Sequence, residues 1–132
     1  MNLKNKLVSL FVIFLSLQFT IANDKVIILH TNDTHSIIEP YFDNNLGGVA
    51  RRKALIDSVR NVEQNVLLVD AGDAMQGSLY FTLFEGEEEK KVMYELDYDI
   101  QILGNHQFDN GMDKLRAYVS VLDADLISTN YD

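Results

Sequence analysis

Val66-Leu67-Leu68-Val69 running straight into Asp70-Ala71-Gly72-Asp73 is the stretch on which the fold turns. A short apolar run closed by a polar, glycine-marked turn has the pattern of a parallel-sheet strand, expected to be buried on both faces. Upstream, Val26-Ile27-Ile28-Leu29 leads in the same way into His30-Thr31-Asn32-Asp33-Thr34-His35. Downstream, Ile100-Gln101-Ile102-Leu103 leads into Gly104-Asn105-His106. A fourth, weaker strand is expected from Asp125 to Ser128.

Helical patterns fill the gaps. From Gly48 to Asn61, the residues Val49, Leu55, Ile56, Val59 and Val62 are expected to form one apolar stripe, with Arg51-Arg52-Lys53 on the solvated side. Glu87-Glu88-Glu89 suits a helix N-terminus. Glu87 is expected to pair with Lys91 one turn on, and Val92, Met93 and Leu96 to face inward. Met112 to Leu122 reads as a third helix with Leu115, Tyr118, Val119 and Leu122 on one side. Residues 36–47, with Pro40 and Asn44-Asn45-Leu46-Gly47, form a loop. The order β-α-β-α-β-α-β predicts right-handed crossovers and a mainly parallel sheet, placing the chain in the α/β class.

The 132 residues carry 11 Lys+Arg and 20 Asp+Glu, a formal charge of −9, and no cysteine. An acidic excess argues against a nucleic acid polymer as partner, which would call for a basic stripe. Without cysteine there are no disulfides, thiolate metal sites or cysteine nucleophiles. Residues 1–22 read as a signal peptide: Lys4 and Lys6, an apolar run from Leu7 to Leu17, and Thr20-Ile21-Ala22 as a cleavage site. That run falls short of the ~20 residues a bilayer span needs, so cleavage rather than a stable membrane span is expected. The mature segment, residues 23–132, is then exported, periplasmic or extracellular, and long enough for one domain core.

Ligands for chemistry gather at the three strand ends, where open α/β sheets place their crevice. Asp33-x-His35 offers a carboxylate and an imidazole which, in an extended segment, point the same way. Asp73 follows Gly72, and Asn105 follows Gly104 with a neutral carbonyl oxygen. Asp, His and Asn without Cys suit manganese, zinc or iron better than magnesium or calcium. Each cluster alone has a plain structural reading: Asp70 or Asp73 can cap a helix, and His30 can make a structural hydrogen bond at a strand end. Three clusters at one sheet edge argue for a site. His106 and Asp109, three residues apart, form a pair in which the carboxylate orients one imidazole nitrogen and frees the other for a substrate oxygen.

Ile28-Leu29-His30-Thr31-Asn32-Asp33-Thr34-His35, Gly72-Asp73 and Gly104-Asn105-His106-Gln107-Phe108-Asp109 resemble the first three blocks of the calcineurin-like metallophosphatases. The resemblance is strongest to the exported 5′-nucleotidase, UDP-sugar hydrolase and 2′,3′-cyclic phosphodiesterase branch. It implies the first half of a four-layer α/β/β/α domain holding two divalent metal ions, zinc or manganese. By that resemblance Asp33 and His35 bind the first metal, Asp73 bridges both, and Asn105 binds the second. His106 and Asp109 are the catalytic dyad, with Asn105 and His106 on the substrate. The implied activity is release of phosphate from a nucleotide or nucleotide sugar.

Two departures stand out. The third block usually carries Glu where this chain has Gln107, and a minor effect is expected. The family also has further metal-binding histidines and a C-terminal substrate-binding domain downstream, and this segment ends before them. The alternatives to an enzyme's N-terminal part are a non-catalytic remnant, or a half-domain completed by a separately encoded remainder.

Overall fold

The computed structural model describes residues 25–41 and 46–128. The expected signal peptide and the middle of the 36–47 loop lie outside the described residues. Strand β1 spans Ile27–Thr31, helix α1 Val49–Arg60, strand β2 Val66–Asp70, helix α2 Leu79–Phe84 and helix α3 Glu87–Leu96. Strand β3 (Ile100–Gln101), a 3-10 turn (Asn105–Phe108), helix α4 (Gly111–Val119) and strand β4 (Asp125–Leu126) follow. The four strands lie side by side in sequence order, every pair parallel, with Leu29 opposite Leu68, Thr31 opposite Asp70, and Asp70 opposite Gln101. No helix among the described residues is long and apolar enough to cross a membrane.

Sequential parallel order has a consequence for burial. Crossovers of a single hand that always step the same way leave every helix on the same face of the sheet. Among the described residues, helices therefore cover one face of the strands, where the apolar runs had suggested burial on both. In β1 the residues alternate: Ile27, Leu29 and Thr31 are half-buried, while Ile28 is 63% exposed and His30 is exposed. His30 has no hydrogen-bond partner among the described residues, so the expected structural bond is absent there.

The core lies between the covered face and the helices. It comprises Ile56, Leu68, Ala74, Met75, Met93, Leu96, Tyr98, Leu115 and Tyr118. In α1 only Ile56 is fully buried, with Val49 packed beside it, while Leu55 and Val62 are 62% and 77% exposed. At about 100° per residue, positions 49 and 56 share a side, position 55 lies about 100–120° away from both, and Val62 falls past the helix end, which breaks the expected stripe.

Arg52 is half-buried rather than solvated and lies beside the Tyr98 hydroxyl. In α3 the same arithmetic puts Glu89 on the face of Met93 and Leu96. Glu89 is 2% exposed, with neither carboxylate oxygen hydrogen-bonded among the described residues. Glu87 pairs with Lys90 at 2.5 Å and Glu88 with Lys91 at 2.7 Å, so Lys91 serves Glu88 and not Glu87.

Helix α2 is an element the sequence pattern does not announce. Leu79 and Leu83 are exposed and no residue of it is buried, so there is no inward stripe to detect. It starts because the Ser78 hydroxyl accepts the Tyr80 N–H at 3.2 Å.

Candidate metal centre

Beyond the ends of β1 and β2 the two following loops stay zipped together. The N–H groups of Asp33, His35 and Ser36 donate to the carbonyls of Gly72, Asp73 and Ala74 at 3.0, 3.0 and 2.9 Å. The first loop is not extended, as Asp33-x-His35 had suggested. Asp33, His35 and Ser36 have φ of 51°, 44° and 55°, and Asp73 has φ of 52°. Left-handed backbone at a residue with a Cβ costs about 1–2 kcal/mol, and here it gathers at the residues with the chemistry. The turn nonetheless brings the two side chains together: His35 Nε2 lies 3.5 Å from Asp33 Oδ1.

Asp73 is held from the third loop. Its Oδ1 accepts the His106 N–H at 3.0 Å, and its own N–H donates to Gln107 Oε1 at 3.3 Å. Gln107, 2% exposed, therefore grips the residue that presents the central carboxylate, through a side-chain oxygen that a Glu would offer as well. The close approach depends on glycine. A Cβ on Gly104 would sit 2.0 Å from Asp73 Oδ1 and 2.6 Å from Asp73 N. One on Gly72 would meet Gly104 N at 2.8 Å. Gly104→Ala is expected to cost about 3 kcal/mol by overpacking and to push Asp73 out of place. Urea denaturation of wild type and variant checks this, an unchanged midpoint contradicting it.

Asp33, His35 and Asp73 each offer one ligand atom such that all three lie within 4.8 Å of one another. Two ligands on one tetrahedral zinc, each about 2.1 Å from the ion, stand about 3.4 Å apart, close to the His35–Asp33 separation. Two carboxylates and an imidazole suit zinc or manganese by donor type. The residues present therefore fit a divalent ion. Asn105, exposed at the start of the 3-10 turn, lies between Gly104 and His106, both of which contact Asp73.

The dyad adjoins this cluster. His106 Nδ1 is 2.7 Å from Asp109 Oδ2, and the His106 and His35 rings meet edge to face with centroids 5.2 Å apart. The hydrogen bond to Asp109 raises the His106 pKa above the usual imidazole value, against a smaller lowering from desolvation. Because the folded value is raised, the bond's contribution to stability is full below the unfolded imidazole pKa of about 6.5 and is lost as pH rises through the folded value. Asp109→Asn is expected to bring the His106 titration down. An NMR titration of the ring protons reads it, and an unmoved midpoint would count against the pairing. Beside the dyad a groove of about 780 Å³ is lined by Gly77, Ser78, Phe81, Glu85, Asp109 and Asn110, among others.

Beneath the loops runs a buried polar chain that sequence patterns did not single out as functional. Asp70 is 1% exposed. Its Oδ1 accepts the Gly72 N–H at 3.0 Å and its Oδ2 accepts the Thr31 hydroxyl at 2.6 Å. The Thr31 oxygen is in turn 2.6 Å from the Tyr98 hydroxyl. Burial pushes the Asp70 carboxyl above the usual carboxylate range, partly offset by the bonds from Thr31 and Gly72. The signal available in sequence was only that Asp70 closes an apolar strand, where a carboxylate must find partners.

The family model for calcineurin-like phosphoesterases matches residues 26–130. The chain is 44% identical over 97 residues to the 5′-nucleotidase of Homo sapiens, covering 67% of this chain and 17% of that protein. It is 45% identical over 93 residues to a snake venom 5′-nucleotidase of Gloydius brevicauda, covering 64% and 16%. Among solved structures, a 5′-nucleotidase precursor from Thermus thermophilus superimposes with a TM-score of 0.73 at 39% identity, over 81% of this chain and 22% of that one. The NAD nucleotidase of Haemophilus influenzae gives 0.72 at 36% identity, over 80% and 20%. The chain thus spans about a sixth of the length of the curated relatives and about a fifth of the solved ones.

Proposed function

The chain belongs to the calcineurin-like phosphoesterase family, and from that premise we propose that it is the N-terminal part of an exported, two-metal hydrolase releasing phosphate from nucleotides. The observation that supports this most is the convergence of three separate strand-end loops. Asp33, His35 and Asp73 come within ligating distance of one another, and the His106 ring lies against the His35 ring. The 5′-nucleotidase and NAD nucleotidase relatives point to a nucleotide or nucleotide sugar as the substrate class.

In this reading Asp33, His35 and Asp73 would hold one divalent ion, and Asp73 with the Asn105 carbonyl oxygen would hold a second. Bound ions of this kind supply Lewis acidity toward phosphate oxygens and a water acidic enough to act near neutral pH. The residues do the rest. Asp109 fixes His106 through Nδ1, which leaves Nε2 directed outward as a proton or hydrogen-bond donor. Its target is the transferring phosphate or the departing alcohol oxygen. The Asp109 carboxylate on Nδ1 favours the protonated imidazole, the form that donates. The groove beside Asp109 gives the departing group room.

Phosphate release from a nucleoside 5′-monophosphate is expected to require manganese or zinc and to stop on chelation. Activity that persists in excess chelator would overturn the two-metal reading. A second reading is favoured by coverage, the relatives being roughly six times longer than the matched segment: in it, turnover depends on residues of a separately encoded remainder. Activity restored by adding a separately expressed remainder would establish that form.

A further inference from the structure

Asp70 stands at the end of β2 and touches neither candidate ligand side chain, yet one carboxylate bonds to both loops that carry them. Oδ2 takes the hydroxyl of Thr31, two residues before Asp33, and Oδ1 takes the N–H of Gly72, one residue before Asp73. Thr31 and Asp70 are also paired opposite each other in the sheet. Thr31 gives its only hydroxyl proton to the carboxylate, so at its oxygen it accepts the Tyr98 hydroxyl. Tyr98 is 3% exposed and begins the approach to β3, so the chain of donors runs Tyr98 to Thr31 to Asp70 and is anchored in the core. Above this clasp come the three backbone bonds from Asp33, His35 and Ser36 to the second loop.

Those loops hold left-handed residues that relaxation would release. A buried acceptor with two lone-pair-rich oxygens can restrain both strand ends at once, which a neutral residue bonding to one of them does not. We propose that Asp70 is a positioning residue, a buried clasp that fixes the spacing between the Asp33-His35 loop and the Asp73 loop and so presets the candidate metal centre. The role of that centre rests on the reading above. The clasp itself does not depend on it, and the two are tested separately.

The test uses the whole 132-residue chain, with two readouts. Amide hydrogen exchange at Asp33, His35 and Ser36 reports the ladder between the loops, with Leu68, bonded to Asp99 Oδ2 in the sheet, as the reference. Manganese titration followed by electron paramagnetic resonance reports the centre. Asp70→Ala is expected to speed exchange at all three amides at least tenfold relative to Leu68, and to weaken manganese at least tenfold. The latter is within the roughly 10–100-fold seen when supports behind metal ligands are removed. Thr31→Val leaves Asp70 and Gly72 in place and is the milder variant should Asp70→Ala fail to fold. It is expected to speed the same amides. Arg116→Ala, a change at an exposed side chain of α4, should leave both readouts unmoved. Unchanged loop amides in Thr31→Val overturn the clasp. Loop amides that loosen while manganese affinity holds overturn the positioning role. Manganese bound by neither wild type nor variant, with the amides loosened, overturns the metal reading and leaves the clasp standing.

Discussion

Asp73→Asn is expected to weaken cation binding at two positions together, the largest single effect on the centre. The carboxylate lies where all three loops meet: its neighbour Gly72 abuts Gly104, its Oδ1 takes the His106 N–H, and its oxygens reach the Asp33–His35 pair. An amide in its place keeps one oxygen and turns an NH₂ toward an ion, removing the negative charge that makes bridging favourable. A loss of about 100-fold or more in manganese affinity is expected at both positions, against a loss at one position for Asp33→Asn. Titration followed by electron paramagnetic resonance distinguishes one ion from two. Equal weakening of both ions by Asp33→Asn would contradict the bridging role.

His106→Ala is expected to lower kcat by about 10²–10⁴, the range for a positioned proton donor, with KM changed little. Its partner variant Asp109→Asn should lose less, since the imidazole remains and only its orientation and basicity suffer. The ring bonds through Nδ1 and packs edge-on to His35, so its removal leaves the ligand loops their backbone ladder. Metal affinity is therefore expected to survive in His106→Ala while phosphate release does not. Phosphate release in His106→Ala at the wild-type rate would remove the dyad from the reaction.

The sequence was most readable where one residue type could do only one thing. Val66 to Val69 had to be a strand, and the polar turn after it had to lie at the sheet edge. The parallel order of the strands then followed, though not α2, and with it the meeting of Asp33, His35, Asp73 and His106. What escaped reading depended on which way a side chain faced. Ile28 lies on the sheet face that carries no helix among the described residues. Leu55 and Val62 fit a loose apolar pattern, but Leu55 is turned away from the Val49–Ile56 side of α1 and Val62 lies past its end. The contact of Gln107 is with the backbone of Asp73, a partner no side-chain pattern encodes. Asp70 is the same kind of case, with one of its two bonds to a main-chain N–H.

Four residues with side chains occupy the left-handed region at the centre of this arrangement, three of them the candidate ligands themselves. Glycine would sit in each of those places more comfortably. Stability and chemistry therefore pull on the same codons in opposite directions. A lineage released from catalysis would gain by trading these residues away, and would grow sturdier as it did so. At Asp33, His35 and Asp73 the backbone cost falls on the very side chains that would hold an ion.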